Sequence, residues 1–328
     1  MKIVNEQVPL FSIIIAHYNQ HSLWKTSLLS VLEQKYEKIQ IIFADDHSDN
    51  FDIFEVECFI KKHANSNLID FKILQMPRNE GTVKNLNCAY QYCKGTYLMF
   101  IAADDALYDE NVLMNYAHFL NKKRKGVIGI YARSLKCNVK LESLNEDYIL
   151  KEKAILMNGL SAKEQYRLLT QWCCIPIGAT AFRKEIFDRY APFDLSYVLI
   201  EDWPFFLRAT REGGKFLFCD FPALLYREGG VSRPLEKRTR TLTVEKCFND
   251  HLRVYEKEIW PYSKMLSYRE LEEMLSRYDR DRTEIVEILG NVVMEKRINY
   301  LIRDWRIAGI IMKKLYLQLK SYLFSPFI

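Results

Sequence analysis

Residues 97–105 read YLMFIAADD, an unbroken apolar run that ends in two adjacent carboxylates. A short run of this kind suits a strand buried on both faces, as in a parallel sheet. Three more runs share its character: residues 11–16 (FSIIIA), 39–44 (IQIIFA) and 71–75 (FKILQ). Between them apolar side chains fall at helical spacing, as at Leu23, Leu28, Val31 and Leu32, and again at Val83, Leu86, Tyr90 and Cys93. Strand and helix alternate, which predicts an α/β fold with a doubly wound, mostly parallel sheet flanked by helices.

Polar clusters follow three of these strands. The first runs into His17-Tyr18-Asn19, the second into Asp45-Asp46-His47-Ser48-Asp49, and the fourth into Asp104-Asp105. Ligands of open α/β sheets sit beyond the carboxyl ends of the strands, where the strand order switches. The clusters are therefore expected to converge on one cleft.

Further along the chain the pattern loosens. Residues 133–158 read as a polar, charged connection, and Ser161 with Glu164 reads as a capping box opening a helix. Residues 175–182 (IPIGATAF) suit a strand or extended loop, residues 202–211 a helix, and residues 216–220 and 223–226 two final strands. The body of the fold is expected to end near residue 235, with one half over 1–132 and a second over 133–235. Residues 236–328 are expected to form a helical C-terminal extension.

Composition narrows the class. The chain has 328 residues, 49% hydrophobic and 27% charged, with 12 Gly and 9 Pro. That excludes disordered, collagenous and low-complexity classes. A chain of this length buries about three quarters of its extended surface without staples. No 18-residue uncharged stretch occurs and the N-terminus lacks the apolar core of a secretory signal, so a cytoplasmic location is expected. The eight cysteines form no CxxC pair and read as reduced core thiols. Net charge is +5, and residues 295–320 carry all of that excess, with seven basic side chains against two acidic ones. A nearly neutral body argues against a nucleic-acid binder.

Several residues could carry chemistry. Burying Asp104 beside Asp105 costs several kcal/mol unless a cation or strong donors compensate. A divalent cation, Mg²⁺ or Mn²⁺, is one answer, and because Mg²⁺ pairs one or two carboxylates with substrate phosphates, it implies a diphosphate substrate. The other reading of Asp104 is a helix cap. Asp45 and Asp46 could accept from a base imide or a ribose hydroxyl, or simply form an Asx-turn. Lys84 could neutralise phosphate or stay solvated. Asp202, after Glu201 at a helix start, could act as a general base or as an ordinary helix N-terminal acid. Neither GxGxxG nor GxxxxGK[ST] occurs, and the six histidines lack zinc-ligand spacing.

The strings SIIIAHYNQ, FADDHSDN, RNEGTVKNLNCAYQYCKGTYLMFIAADDAL, GATAFRKEIF and IEDWPFFLRATREGG, in that order, resemble the inverting family-2 glycosyltransferases of GT-A fold, including those of bacterial polysaccharide assembly. The resemblance covers residues 9–235 and implies a nucleotide-sugar half over 1–132 and an acceptor half over 133–235 of the catalytic domain. It implies a nucleotide-diphosphate-sugar donor, a UDP-sugar first, and a saccharide or polyprenyl-linked acceptor. It implies transfer of a hexosyl or N-acetylhexosaminyl group with inversion.

By the same resemblance Ala16, His17, Tyr18 and Asn19 face the donor, Asp45 and Asp46 contact the nucleoside with Asp46 at the base, and Lys84 touches the nucleotide. Asp104 and Asp105 look like a DXD-type pair, with Asp105 the direct ligand of Mn²⁺ or Mg²⁺, while Asp202 matches the general base and Glu201 its neighbour. A nucleotidyltransferase, or a catalytically silent nucleotide-sugar binder, stays open beside this reading.

Three features depart from the family pattern. Ala102-Ala103 precede the acidic pair where a fuller DXDD would place another Asp. Ala16-His17 stand where Pro-Thr or Thr-Ser is usual. Where relatives carry a His near Tyr226-Arg227, this chain reads Glu228-Gly229-Gly230-Val231-Ser232, so Arg227, Ser232 or Arg233 is left to hold the far side of the diphosphate.

Near the C-terminus, Leu301, Trp305, Ala308, Met312, Leu315, Leu319 and Tyr322 form one helical stripe flanked by basic residues. An anionic membrane face, the catalytic body and a second subunit in a homodimer are all open as its partner. The first would make the protein peripheral on the inner face of the cell membrane.

Overall fold

The computed structural model describes residues 8–20, 23–122, 124–138, 140–227, 241–289 and 305–323. The chain forms two compact units, residues 1–166 with 173–237, and residues 167–172 with 238–328.

The first unit opens with β1 (Phe11–His17), α1 (Leu23–Leu32), β2 (Ile39–Asp45), α2 (Ile53–His63), β3 (Leu68–Gln75), α3 (Thr82–Tyr90) and β4 (Tyr97–Ala102). The strands pair in parallel in the order β3-β2-β1-β4. Both faces of β1, β2 and β4 are covered, which explains the continuous apolar runs. One face sends Ile13, Ile15, Ile41, Phe43 and Met99 against Trp24, Leu28 and Val31 of α1 and Val56 and Ile60 of α2. Burying each of these large side chains contributes roughly 1.5–3 kcal/mol. On the other face Phe100 meets the rings of Phe182, Phe187 and Phe193.

β5 (Ala106–Leu107), α4 (Val112–Leu120), β6 (Val127–Cys137), β7 (Ser143–Asp147), α5 (Lys151–Gly159) and α6 (Ala162–Leu169) follow, then β8 (Thr180–Arg183), α7 (Lys184–Phe187), α8 (Asp202–Arg211) and β9 (Lys215–Arg227). The sheet continues β4-β8-β6-β9-β5, with β7 on β6. Beyond β4 it is mixed, because β8 runs antiparallel to both β4 and β6 while β6 and β9 are parallel.

Three local readings change. Residues 133–158 are not a featureless connection: they hold the end of β6, all of β7, and α5. Their charge conceals a hairpin in which Arg133 pairs with Asp147 at 2.9 Å and Lys136 with Glu146 at 2.8 Å. Residues 216–226 form one strand rather than two, with register shifts against β6 absorbing the break. Cys58 is exposed, although all eight cysteines are free thiols. The capping box of α6 is present, with the Ser161 N–H donating to Glu164 Oε2 at 2.8 Å and the Glu164 N–H to Ser161 Oγ at 3.3 Å.

In the second unit, α9 (Leu242–Val254) leads through irregular turns to α10 (Tyr268–Leu289) and α11 (Trp305–Leu323). Arg167 grips Glu270 with two nitrogens at 2.9–3.0 Å. Arg306 donates to the carbonyls of Ser263 and Leu266, and Lys313 and Lys314 reach Glu272 and Asp279 of α10. The inward face of α11 is Ile307 and Ile310, whereas Trp305 and Met312 from the expected stripe are 80% and 66% exposed. Leu301 lies outside the described residues, as do the side chains of Ala308, Leu315, Leu319 and Tyr322. Among the described residues no helix is long and apolar enough to cross a membrane.

Candidate active site

β1 and β2 end level with one another, His17 beside Asp45. His17 Nδ1 lies 2.8 Å from Asp45 Oδ1, and the Ser48 hydroxyl donates to the same oxygen. The Ser48 N–H donates to Asp45 Oδ2 at 3.0 Å, and the Asn19 N–H to Ser48 Oγ at 2.8 Å. Burial pushes the Asp45 carboxyl up, but the bonds from His17 and Ser48 outweigh it and hold the group below its ordinary range. Asp45 thus anchors the cluster from within, and Tyr18 alone of the β1 end reaches well into solvent, at 44% exposure.

Asp46 turns the other way. It accepts from the N–H groups of Glu80 and Gly81 at 2.9 and 2.8 Å and from Asn79 Nδ2 at 3.1 Å. Burial raises its carboxyl above the usual range against those two backbone donors. Gly81 is required here: its φ is +91°, and a Cβ would stand 2.5 Å from Val198 Cγ1. Asp46 therefore fixes the entry into α3, where Lys84 is bridged to Glu80 at 2.9 Å.

At the end of β4, Asp105 is 5% exposed and its Oδ1 accepts from the Arg227 N–H at 2.9 Å. Burial, and then the neighbouring charge of Asp104, push its carboxyl well above the ordinary range. Asp104 is raised by burial too, with Arg227, His17 and Gln20 pulling it back. Across the cleft Asp202 opens α8 and follows Glu201. Its Oδ1 accepts from the Trp203 N–H at 2.6 Å, and Cys173 Sγ stands 4.0 Å from Oδ2. Burial, followed by the Asp202 charge, keeps Cys173 a neutral thiol by pushing its pKa well up.

Ala16, Asp105, Cys173, Glu201, Asp202 and Tyr226 line one hollow of about 260 Å³ at the carboxyl end of the sheet. Gly178 forms part of its wall, where a Cβ would meet Leu224 Cδ2 at 2.9 Å and lie 3.9 Å from Asp105 Oδ2. The structure thus brings Asp105 and Asp202 to a common space, whose lining does not include Asp104, Asp45 or His17. Asp46 and Lys84 are outside its lining and sit at the start of α3. Ser232 and Arg233 lie outside the described residues. Sequence reasoning gave no site role to Cys173, Gly178 or Tyr226, and Cys173 read as one of the reduced core thiols. A larger hollow of about 670 Å³ lies among Pro9, Tyr36, Tyr97, Met114, His118 and Arg183, away from the carboxyl ends where such sheets bind ligands.

Two adjacent hard-oxygen donors, one of them buried and accepting from the Arg227 N–H, fit a divalent cation. Among the described residues no cluster of three His, Cys, Asp or Glu forms a complete cage. Asp104 and Asp105 would hold the cation together with oxygens of the substrate.

The profile for Glycosyl transferase family 2 matches residues 12–191. An Escherichia coli protein, the UDP-Glc:alpha-D-GlcNAc-diphosphoundecaprenol beta-1,3-glucosyltransferase WfaP, is 31% identical over 119 residues, 35% of this chain and 43% of that protein. The S. aureus TarS 1-349 structure in complex with UDP-GlcNAc superposes with a TM-score of 0.55 at 16% identity, covering 89% of this chain and 79% of that one. The mannosyltransferase PcManGT from Pyrobaculum calidifontis, in complex with GDP-Man and Mn²⁺, gives 0.52 at 13% identity over 98% of this chain and 89% of that one. Their likeness matches the mixed sheet described above, and a family match that spans more than half of the sequence and includes the β1, β2 and β4 ends settles the assignment: the chain belongs to glycosyl transferase family 2.

Proposed function

We propose that this nucleotide-sugar glycosyltransferase moves a hexosyl or N-acetylhexosaminyl group from a UDP-sugar to a glycan or lipid-linked acceptor in one inverting, metal-assisted displacement. The observation that carries the reading is the placement of Asp105 and Asp202 on one hollow. The names of WfaP and the TarS complex support uridine in the donor, and the WfaP name supports a diphosphate-lipid acceptor.

In this reading Asp202 takes the proton of the acceptor hydroxyl, whose oxygen bonds to the anomeric carbon as the bond from that carbon to the phosphate oxygen breaks. The electron pair leaves with the diphosphate. Asp104 and Asp105 would hold a divalent cation, which would supply positive charge to that leaving group. The Trp203 N–H orients Asp202, Glu201 lines the hollow beside it, and the apolar wall of the hollow shields the reacting carbon from water.

The basic helix α11 has Arg306, Lys313, Lys314 and Lys320 and no acidic residue, with Trp305, Met312 and Tyr316 exposed. That supports peripheral attachment to an anionic membrane on the cytoplasmic side, where lipid-linked acceptors are presented. Retention of Trp305→Ser/Met312→Ser on anionic liposomes, at the level of the parent protein, removes the membrane role and leaves a second subunit as partner. The transferase reading is tested by release of free nucleoside diphosphate from a panel of UDP-, GDP- and dTDP-sugars with polyprenyl-diphosphate and saccharide acceptors. Binding of donors with no turnover by any of them makes the protein a silent nucleotide-sugar binder.

A further inference from the structure

We infer that the acceptor hydroxyl belongs to an uncharged sugar ring laid against Tyr148, and not to a lipid phosphate. The inference rests on the transferase reading and narrows its acceptor to one chemical class.

The lining of the hollow divides by burial. Phe100, Ile101, Asp105 and Leu224 form a floor that is at most 5% exposed. Tyr148, Ile177, Ile200, Glu201, Asp202 and Tyr226 are half-buried and form the rim. A group that gives its proton to Asp202 therefore enters over this rim. At about 260 Å³ the hollow is smaller than the pockets of about 300–1,000 Å³ that enclose drug-sized ligands. The transferred sugar fills it, and the acceptor lies across its edge.

The charge of the lining has one sign. Asp105, Glu201 and Asp202 are part of it, and among its described residues there is no Lys, Arg or His. Asp105 serves the diphosphate end, so Glu201 and Asp202 meet whatever comes over the rim. A phosphate monoester brought against them would set like charges together away from water, which selects against it. A sugar hydroxyl arrives neutral. It yields its proton to Asp202 only as its oxygen bonds to the anomeric carbon and the diphosphate departs with the electron pair of the broken bond.

Tyr148 supplies the attraction. Its ring centroid lies 4.6 Å from that of Tyr226 with the planes at 46°, so the two rings make an aromatic corner on the rim. A pyranose has a face of C–H groups that packs on such a ring while its hydroxyls point outward from the edge. The corner is held by the sheet. The Tyr148 N–H donates to the Ser134 carbonyl at 2.7 Å, and the preceding residue, Asp147, is bridged to Arg133 at 2.9 Å, both partners being on β6.

Steady-state turnover of the parent, Tyr148→Phe and Tyr148→Ala tests this with three acceptors: a neutral alkyl glycoside, a polyprenyl diphosphate bearing one sugar, and a bare polyprenyl phosphate. Thermal unfolding is followed alongside, and Tyr148→Leu, which keeps bulk without a ring, replaces the alanine variant if that one unfolds. The parent is expected to use the sugar-bearing acceptors and to turn over the bare phosphate about a hundredfold more slowly or not at all. Tyr148→Ala is expected to raise the acceptor KM about tenfold and to leave the donor KM within about twofold, with Tyr148→Phe close to the parent. Equal turnover of the bare phosphate overturns the inference. So does a parent-like acceptor KM in Tyr148→Ala, or a donor KM that rises as far as the acceptor KM. Failure to release diphosphate with any of the three acceptors and any donor sinks the transferase reading itself.

Discussion

The main-chain N–H of Arg227 donates to Asp105 Oδ1 at 2.9 Å, tying the end of β9 to the acid that follows β4. One carboxylate thus closes the sheet and faces the hollow. Asp105→Ala is expected to weaken UDP-sugar binding tenfold or more in Mn²⁺ and to change it little in EDTA. Calorimetry in both buffers checks this; the same loss with and without metal would assign Asp105 to structure alone.

Asp202→Asn keeps the shape at the start of α8 and the acceptor for the Trp203 N–H, but it removes the base. Turnover is expected to fall by about 10²–10⁴ while the donor dissociation constant stays within twofold. A matching rise in the dissociation constant would move Asp202 from proton transfer to donor binding.

Gly81→Ala combines a left-handed backbone with a Cβ 2.5 Å from Val198 Cγ1 and 2.6 Å from its carbonyl oxygen. A loss of about 2 kcal/mol or more is expected in denaturant unfolding, because both strain and overpacking act. The N–H that Gly81 gives to Asp46 shifts with it. Unchanged stability would show that the residue 79–81 segment moves without cost.

Glu270 titrates below its ordinary value of 4.5: burial raises it, but the Arg167 and Ser267 bonds win. A depressed folded-state pKa stabilises above the unfolded value and loses that contribution as pH falls through the folded one. The parent is therefore expected to exceed Glu270→Gln in stability by about 1 kcal/mol at pH 7. The gap narrows below pH 4.5, and thermal unfolding of both proteins across pH 3–7 measures it. A pH-independent gap would mean that the Arg167 contact is not ionic.

The parallel half of the fold was legible because β1, β2 and β4 are covered on both faces, and such strands announce themselves as unbroken apolar runs. The acids at their ends were legible for the same reason, since Asp104 and Asp105 interrupt a pattern that nothing else breaks. β6 and β7 were hidden. Their Arg133, Lys136, Glu146 and Asp147 look like loop residues until they are seen to pair across a hairpin. The direction of a side chain was also out of reach: Asp46 reads as a base contact in one dimension, whereas the fold turns it toward the N–H groups of Glu80 and Gly81. The clamp on the His17 ring was out of reach as well, because its partner Asp45 lies 28 positions away.

The bare position at Gly178 leaves room for Leu224 to lean in, with Asp105 just beyond. Breadth of the chamber and acidity at its two ends are therefore controlled by different amino acids. Under the proposed transferase reading, changes at residues 178 and 224 would reset the bulk of sugar admitted and leave Asp105 and Asp202 untouched.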